Sequence, residues 1–307
     1  MRISILITNY NYGRFLARAI RSAQQQSRPC DEILVVDDGS TDDSLAVARA
    51  AANADPRVRL IAKSNGGQLS AFNAGFAAAT GDVVCFLDAD DELTPGYLAA
   101  VLGIYETRSE VDFVFTSVLE VRADGATKQR PRGRRSIDFG CTAIRTLILG
   151  DWVGSPTSAI SLRTSLLRQI LPSPLEASWR TSADDVLVLG AALRGGRKYF
   201  LAEPLVRYHV HDSNLFYGRG DSDHQSHRRT LRRWQLVGHL AADLAAGLAH
   251  QACLGKQIVR EFTTLPAPDR SSVTTYWRVV QRARCRFRWW RKLQILWLWL
   301  RRARQPG

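Results

Sequence analysis

The sequence lacks several features that would assign it to other classes of protein. Its five cysteines are scattered and form no C-x-x-C pair, which argues against a disulfide framework or a zinc site and fits a reducing cytosol. No apolar run is long enough to cross a bilayer, and the apolar segment at residues 3–7 is too short for a signal peptide. The sequence therefore predicts a cytoplasmic chain without a membrane span.

Acidic residues are missing from the C-terminal tail, which carries most of the net charge. Residues 276–307 contain ten basic residues and no acidic one, so only +3 of the total charge of +13 belongs to the preceding residues. The basicity is therefore a property of the tail. At 307 residues, 45% of them hydrophobic, the chain has room for one large α/β domain and a smaller appendage.

Short apolar segments alternate with amphipathic segments in the N-terminal part of the chain. Strands are predicted at residues 3–7, 32–36, 58–62 and 83–87, and helices at residues 15–25, 40–52 and 70–79, the second with Asp38 or Ser40 as its cap. Strands that alternate with helices at this spacing indicate βαβ units and a parallel sheet. Each strand is followed by a polar loop, and these loops are expected to open on the same edge of the sheet.

Three carboxylates directly follow the fourth predicted strand. The apolar run at 83–87 is typical of a buried strand, and Asp88, Asp90 and Asp91 come next. Like charges this close repel one another, and a hard divalent cation would neutralise them while sharing its remaining positions with substrate phosphates. The alternative is a solvated acidic turn that begins the next helix.

Beyond the acidic cluster the sequence is mixed and then mostly helical. A strand is predicted at 112–121 and helices at 142–149, 164–170 and 184–193, and a proline-rich stretch at 265–270 precedes the tail. The predicted domain limits are 1–215 for the α/β domain, 216–264 for a helical extension, 265–275 for a linker and 276–307 for a basic tail rich in tryptophan and arginine.

A set of short motifs resembles inverting family 2 glycosyltransferases in order and spacing. The motifs are SILITNYN (4–11), VVDDGSTD (35–42), NGGQ (65–68), FNAG (72–75), TGD (80–82), FLDADD (86–91), ADDVL (183–187) and YHVH (208–211). The resemblance implies a GT-A fold, which is a single nucleotide-binding α/β domain with a mainly parallel sheet, here followed by a helical C-terminal extension. It also implies a nucleotide-diphosphate sugar as donor and Mn²⁺ or Mg²⁺ as cofactor.

The resemblance assigns donor binding to a group of residues near the strand ends. They are Thr8, Tyr10, Asn11, Asp38, Asn65, Gly67, Asn73 and Asp88. Tyr10 would stack on the nucleobase and Asp38 would accept a hydrogen bond from its N–H, a combination that selects a uracil-like base. Packing of Tyr10 on the first helix and helix capping by Asp38 are the alternatives.

The resemblance also implies a metal ligand and a base. Asp90 would bind the cation, and His211 stands where some GT-A enzymes have a third ligand, an ordinary polar residue being the alternative. Asp184 is the predicted base because Leu187 fixes the register of its motif, and Asp185 is the second candidate. N-capping of the helix at 184–193 is the structural alternative. A carboxylate at a helix N-terminus has a lowered pKa, so the sequence predicts an ionised Asp184 that accepts a proton.

The tail combines basic residues with tryptophan and leucine, which is typical of a helix that lies in a membrane interface. RNA binding and an oligomerisation helix are alternatives, but the continuous Leu-Trp-Leu-Trp-Leu cluster at 296–300 favours lipid. The expected partner is therefore the anionic inner face of the cell membrane, and no nucleic acid is expected.

The predicted function is a metal-dependent inverting glycosyltransferase that uses a nucleotide-diphosphate sugar, with UDP as the favoured nucleotide. Its acceptor would be a hydroxyl of an envelope or capsule glycan, or a lipid-linked acceptor. A catalytically silent nucleotide-sugar-binding protein and a nucleotidyltransferase are the alternatives.

Overall fold

The structure is a computed structural model that describes residues 1–129, 135–212, 214, 223–248, 251–283 and 288–303. The strands are β1 (Ile3–Asn9), β2 (Glu32–Asp37), β3 (Val58–Ala62), β4 (Val83–Asp88), β5 (Glu92–Leu93), β6 (Phe113–Arg122), β7 (Thr127–Gln129), β8 (Ile137–Cys141), β9 (Ile160–Arg163) and β10 (Arg197–Val210). The helices are α1 (Gly13–Gln24), α2 (Ser44–Ala54), α3 (Gln68–Ala78), α4 (Tyr97–Thr107), α5 (Ala143–Leu149), α6 (Thr164–Leu167), α7 (Asp184–Leu193), α8 (Asp223–Leu248), α9 (Gln251–Thr263), α10 (Arg270–Arg282) and α11 (Arg288–Ala303).

All strands of the described ranges belong to one mixed sheet with the order β3-β2-β1-β4-β9-β6-β10-β5, while β7 pairs with β6 and β8 with β10. β3, β2, β1 and β4 are parallel, and so are β6 and β10, whereas β9 runs antiparallel between β4 and β6. The α/β class with a mainly parallel N-terminal half is thereby confirmed. Thr8 lies opposite Asp88 in the register of β1 and β4, so their side chains meet at one edge.

The helices cover both faces of the sheet because the buried strands are apolar on both faces. Ile5 of β1 lies in one buried cluster with Ile20 of α1. The next residue, Leu6, lies in the opposite cluster with Phe72 of α3 and Val186 of α7. Successive side chains of a strand point to opposite faces, so α3 and α7 share a face of the sheet, and both begin at the edge where β4 ends.

One helix begins later than its sequence pattern predicts. α2 starts at Ser44 rather than near residue 40, and Asp38 caps no helix. Its carboxylate instead accepts hydrogen bonds from the backbone N–H groups of Gly66 (2.9 Å) and Gly67 (2.7 Å). The local propensity of aspartate for helix capping is overridden by a loop that the tertiary fold brings beside it.

The C-terminal helices do not follow the predicted linker and tail. Residues 270–275 of the predicted linker already belong to α10, whose start is capped by Asp269, the acceptor of a 2.7 Å hydrogen bond from the Ser272 N–H. Only the stretch between α9 and Asp269, which contains Pro266, connects helices, because proline disfavours continuation of a helix. The predicted boundary at 215/216 and the tail segments 284–287 and 304–307 lie outside the described residues.

α9, α10 and α11 bury a separate apolar cluster made of Ile258, Phe262, Leu265, Val273, Tyr276, Val279, Val280 and Ile295. This cluster is joined to the α/β domain through α5. The Glu261 carboxylate accepts hydrogen bonds from the backbone N–H of Ile144 (2.5 Å) and Arg145 (3.0 Å) and from the Tyr276 hydroxyl (2.9 Å). Burial raises the pKa of Glu261 to about 7. The C-terminal helices therefore pack on the domain and do not form a detached tail.

Among the helices that the structure describes, none combines the length and the apolar character that crossing a bilayer requires.

Candidate functional site

The centre of the candidate site is Asp88, the last residue of β4. Its Oδ1 accepts hydrogen bonds from Thr8 Oγ1 (3.1 Å) and from Gln68 Nε2 (3.0 Å). Gln68 Oε1 in turn accepts the backbone N–H of Ala183 (2.9 Å), the residue directly before α7. Gln68 therefore connects the acidic end of β4 with the helix that carries Asp184. Gln68 is the last residue of the motif NGGQ (65–68), but the sequence predicts no role for it.

The carboxylates at this edge are electrostatically coupled. Burial raises the pKa of Asp88 to about 7, with further contributions from the charges of Asp90 and Asp184. Burial and the charges of Asp90 and Asp88 hold the pKa of Asp91 well above its usual range. Asp91 is held in place by Ser158 Oγ (2.5 Å) and by the backbone N–H of His209 (3.1 Å). Concentrated negative charge of this kind is stabilised by a cation.

Asp90 lies beside His211. His211 Nε2 is 3.1 Å from Asp90 Oδ2, and Asn214 Nδ2 is 3.3 Å from the same oxygen. The His211 ring stacks on Phe15 with 4.5 Å between ring centroids, which fixes its orientation. In the described part of the chain, no three His, Cys, Asp or Glu side chains are grouped closely enough to hold a metal ion by themselves.

The glycine loop between β3 and α3 is organised by Asp38. Besides the two backbone N–H groups, its carboxylate accepts hydrogen bonds from Lys63 Nζ (2.7 Å) and Asn65 Nδ2 (3.2 Å). Gly67 has φ +91°, and a Cβ at this position would lie 2.4 Å from the Cα of Arg180. A larger residue is therefore excluded at Gly67. The contact of Asp38 with a nucleobase stays a prediction.

The remaining predicted donor-binding residues have different surroundings. Tyr10 is 47% exposed, as a stacking platform for a ligand would be. Asn11 has φ +56°, and its side-chain oxygen accepts the backbone N–H of Thr41 (2.7 Å). The Asn73 amide donates to the Ser173 carbonyl (2.9 Å) and to Glu176 Oε1 (2.6 Å). Asn11 and Asn73 therefore stabilise loops, and their contact with the donor stays a prediction.

Asp184 and Asp185 are the first two residues of α7, and their side chains differ in burial and in hydrogen-bond partners. Asp185 is 1% exposed and accepts two hydrogen bonds from Arg233 of α8, Nε to Oδ2 and Nη2 to Oδ1, both 2.8 Å. Asp184 is half-buried, and its Oδ1 accepts the backbone N–H of Asp185 (3.1 Å). Neither side chain is the N-cap, which is the position of Ala183.

The expected lowering of the Asp184 pKa is wrong. Burial and the neighbouring charge of Asp185 raise the pKa of Asp184 to about 7, although Arg233 acts in the opposite direction. The partial positive charge at a helix N-terminus amounts to about half an elementary charge, and here desolvation and a nearby carboxylate outweigh it. A carboxyl group with a pKa near the working pH is well suited to accept a proton.

Three residues of the site have no local sequence signal. Ser158, Asn214 and Arg233 each contact one of the aspartates but lie far from it in sequence. Only the fold of the chain brings them to the sheet edge, so pattern analysis of short segments could not identify them.

Known structures share this architecture. The crystal structure of S. aureus TarS residues 1–349 in complex with UDP-GlcNAc aligns with a TM-score of 0.57 at 16% identity, covering 97% of this chain and 89% of that chain. At this level of identity the similarity concerns the fold, which is of the GT-A type.

The chain belongs to glycosyl transferase family 2, whose family model matches residues 4–170. An uncharacterized glycosyltransferase of Nostoc sp. is 37% identical over 221 residues, which is 70% of this chain and 66% of the relative. A hyaluronan synthase of Pasteurella multocida is 35% identical over 124 residues, 40% of this chain and 13% of that protein. An undecaprenyl-phosphate 4-deoxy-4-formamido-L-arabinose transferase of Sodalis glossinidius is 36% identical over 156 residues, 46% and 47% of the two chains.

The chain thus spans less than two thirds of these relatives. The family and the enzyme class predicted from the sequence motifs, a family 2 glycosyltransferase, are confirmed.

Proposed function

We propose that the chain transfers a sugar from a nucleotide-diphosphate sugar, with UDP as the favoured nucleotide, to an acceptor hydroxyl with inversion at the anomeric carbon. The observation that carries the proposal is the convergence of Asp88, Asp90, His211 and Asp184 at the carboxyl edge of the parallel strands. Ligands of open α/β sheets bind at this edge. The binding of UDP-GlcNAc by TarS, a protein of the same fold, supports the choice of nucleotide.

The residues present fit a divalent cation, Mn²⁺ or Mg²⁺. Asp90 and His211 offer an oxygen and a nitrogen 3.1 Å apart. Burial and the charges of neighbouring carboxylates raise the pKa values of Asp88 and Asp91, and a bound cation would stabilise their ionised forms. Asp90 and His211 would hold the ion. When bound, it supplies Lewis-acid stabilisation of the departing diphosphate.

The proton transfer is assigned to Asp184. Both oxygens of Asp185 are engaged by Arg233, so Asp184 is the carboxylate of the pair that can accept a proton from the acceptor. The acceptor oxygen forms a bond to the anomeric carbon while its proton passes to Asp184. The bond between that carbon and the diphosphate oxygen breaks, and the nucleoside diphosphate leaves with the bonding electron pair.

Binding of the donor class is tested by thermal unfolding with UDP, GDP, UTP, UDP-GlcNAc and UDP-glucose, each with and without Mn²⁺. We expect the uridine nucleotides to raise the melting temperature, and more so with Mn²⁺, because a ligand at 100 times its Kd adds about 2.7 kcal/mol to the free energy of unfolding. Release of UDP from UDP-GlcNAc is measured in parallel.

The alternatives give different results in the same experiment. A silent nucleotide-sugar-binding protein would be stabilised without releasing UDP. A nucleotidyltransferase would be stabilised most by a nucleoside triphosphate, which is included for this reason.

The acceptor is proposed to be an envelope or capsule glycan or a lipid-linked hydroxyl. The names of the relatives support this: a hyaluronan synthase makes a polysaccharide, and the Sodalis protein is a transferase named for undecaprenyl phosphate. These names describe those proteins.

Peripheral association with an anionic membrane at the cytoplasmic face is proposed from the outer face of α11. Ile295 of α11 is buried in the C-terminal cluster, whereas Trp290, Leu293, Trp297 and Leu300 are between 41% and 60% exposed. These four residues follow helical spacing and form one stripe, which we call the α11 stripe. The helix also contains five basic residues and no acidic one, and each basic residue near an anionic surface contributes about 1 kcal/mol.

Substitution of the α11 stripe by glutamine at all four positions is expected to abolish flotation with vesicles that contain phosphatidylglycerol. Because the substitutions leave the charges of α11 unchanged, a loss of flotation measures what the apolar side chains contribute to membrane binding. Salt does not screen this contribution. Deletion of residues 271–307 is unsuitable, because it would remove Tyr276 and Ile295 from the buried cluster.

Leu231→Gln/Trp234→Gln is the matched control, since these residues of α8 are 49% and 71% exposed but lie on another helix. It should float like the unmodified protein. Unmodified protein that stays at the bottom of the gradient would refute the membrane proposal.

A further inference from the structure

The pair formed by Asp185 and Arg233 joins the candidate catalytic helix α7 to α8, and both helices lie beyond the family match. The match ends at residue 170, and Arg233 lies on α8 (Asp223–Leu248). Arginine engages both carboxylate oxygens of Asp185 at 2.8 Å, a fork geometry that gives strong and orientationally specific hydrogen bonds. The Asp185 side chain is 1% exposed, whereas that of Arg233 is 38% exposed.

Packing holds Arg233 in this position. Leu236 and Leu240 of α8 are buried in the same cluster as Val186 and Leu187 of α7. Residues 233, 236 and 240 follow the helical spacing of one face, so Arg233 extends the buried stripe of α8 towards the start of α7. The neighbouring Arg232 lies over the ring of the buried Trp179, 4.3 Å from its centroid.

We propose that Arg233 is a positioning residue for sugar transfer: by pairing with both oxygens of Asp185, it keeps that carboxylate out of the reaction and leaves Asp184 as the base. The inference rests on the proposed function, because it assumes that Asp184 accepts the acceptor proton. It extends that function by making α8, which like α7 lies outside the family match, part of the machinery that prepares the base.

The charged groups around Asp184 make the proposed role of Arg233 measurable. They are Asp185 on its own helix, Asp88 at the end of β4, and Arg232 and Arg233 on α8. Removal of the positive charge of Arg233 leaves the negative neighbours in place and makes the carboxylate of Asp184 less stable. Removal of the negative charge of Asp185 has the opposite effect. The two substitutions are therefore expected to shift the pH dependence of turnover in opposite directions.

The test measures UDP release from UDP-GlcNAc with Mn²⁺ between pH 5.5 and 9.5. For Arg233→Gln, we expect the acidic limb of the kcat profile to move to higher pH by on the order of one unit, while KM changes little. At pH 7 this lowers kcat about fivefold, because the ionised fraction falls from about one half to about one tenth. Near pH 9.5 the variant should regain most of the kcat of the unmodified enzyme.

Asp185→Asn is expected to move the same limb to lower pH. Asp185→Asn/Arg233→Gln removes both charges and should return the limb close to that of the unmodified enzyme, which also keeps the test valid if Arg233→Gln alone folds poorly. Arg228→Gln is the matched control, since it makes the same chemical change at an exposed position of α8 and should leave the profile unchanged.

A limb that does not move in Arg233→Gln, or a loss of kcat that is equal at all pH values, would overturn the inference. The double variant must also recover: a limb that stays at higher pH after Asp185→Asn has removed the paired carboxylate would mean that Arg233 does not act through Asp185. The proposed function is tested separately by Asp184→Asn. If this variant keeps normal turnover, Asp184 is not the base. If Asp184→Asn is inactive and Arg233→Gln behaves like Arg228→Gln, only the inference fails.

Discussion

Asp184→Asn is expected to reduce kcat for sugar transfer about 10²–10⁴-fold, the range that a general base contributes, with little change in donor affinity. Asparagine has nearly the same shape and keeps an oxygen that can accept the backbone N–H of Asp185, so the start of α7 should be preserved. What is lost is the ability to take the proton of the acceptor hydroxyl.

The pH profile of the unmodified enzyme supplies a second readout for the base. Burial and Asp185 raise the pKa of Asp184 to about 7, so the carboxyl is protonated and inactive below that pH and ionised above it. kcat should therefore fall as the pH decreases through about 7, and this limb should be missing from the residual activity of Asp184→Asn.

Asp185→Asn is the matched control for the assignment of the base. It should retain much of its turnover, since both oxygens of Asp185 are already engaged by Arg233. A large loss in Asp185→Asn, together with normal turnover in Asp184→Asn, would assign the base to the second aspartate.

Asp90→Ala is expected to abolish both sugar transfer and the Mn²⁺-dependent part of the stabilisation by UDP. Asp90 Oδ2 lies 3.1 Å from His211 Nε2, so the substitution removes the carboxylate half of the proposed metal site. The fold should be kept, because Asp91, which accepts the buried hydrogen bonds from Ser158 and His209, is unchanged.

Two further variants complete this test. His211→Ala should weaken the Mn²⁺ effect in the same direction, and Asp124→Ala, in the exposed turn after β6, should leave it intact. Thermal unfolding with UDP and Mn²⁺ measures the binding, and release of UDP measures the turnover. An Asp90→Ala enzyme that remains fully active in the presence of a chelator would eliminate the metal from the proposal.

The sequence was most informative in the βαβ half of the domain. The predicted strand at residues 58–62 coincides with β3, and that at 83–87 differs from β4 by the single residue Asp88. The prediction succeeded because a strand that is buried on both faces must be apolar along its length, which is a local property. The polar residues that follow such strands necessarily meet at one edge of a parallel sheet, so Thr8 and Asp88 could be brought together from the sequence.

The sequence was least informative where a side chain finds its partner far away along the chain. Asp38 has the local character of a helix cap, yet its carboxylate accepts hydrogen bonds from the glycine loop. The proline-rich stretch suggested a linker and a separate tail, but Tyr276 and Ile295 are buried with residues of α9. Which face of α11 packs and which is exposed depends on that association, and composition alone could not decide it.

The acidic cluster and the position of the proposed base at a helix start are determined by the sequence, since both follow from residue order within one strand or one helix. The protonation of that base is decided by the tertiary structure. Burial and the charges of Asp185 and Arg233 act on Asp184 through space, and their sum is opposite in sign to the effect of the helix N-terminus. Electrostatic interactions depend on distance and desolvation in the folded chain, which a linear pattern of residues does not contain.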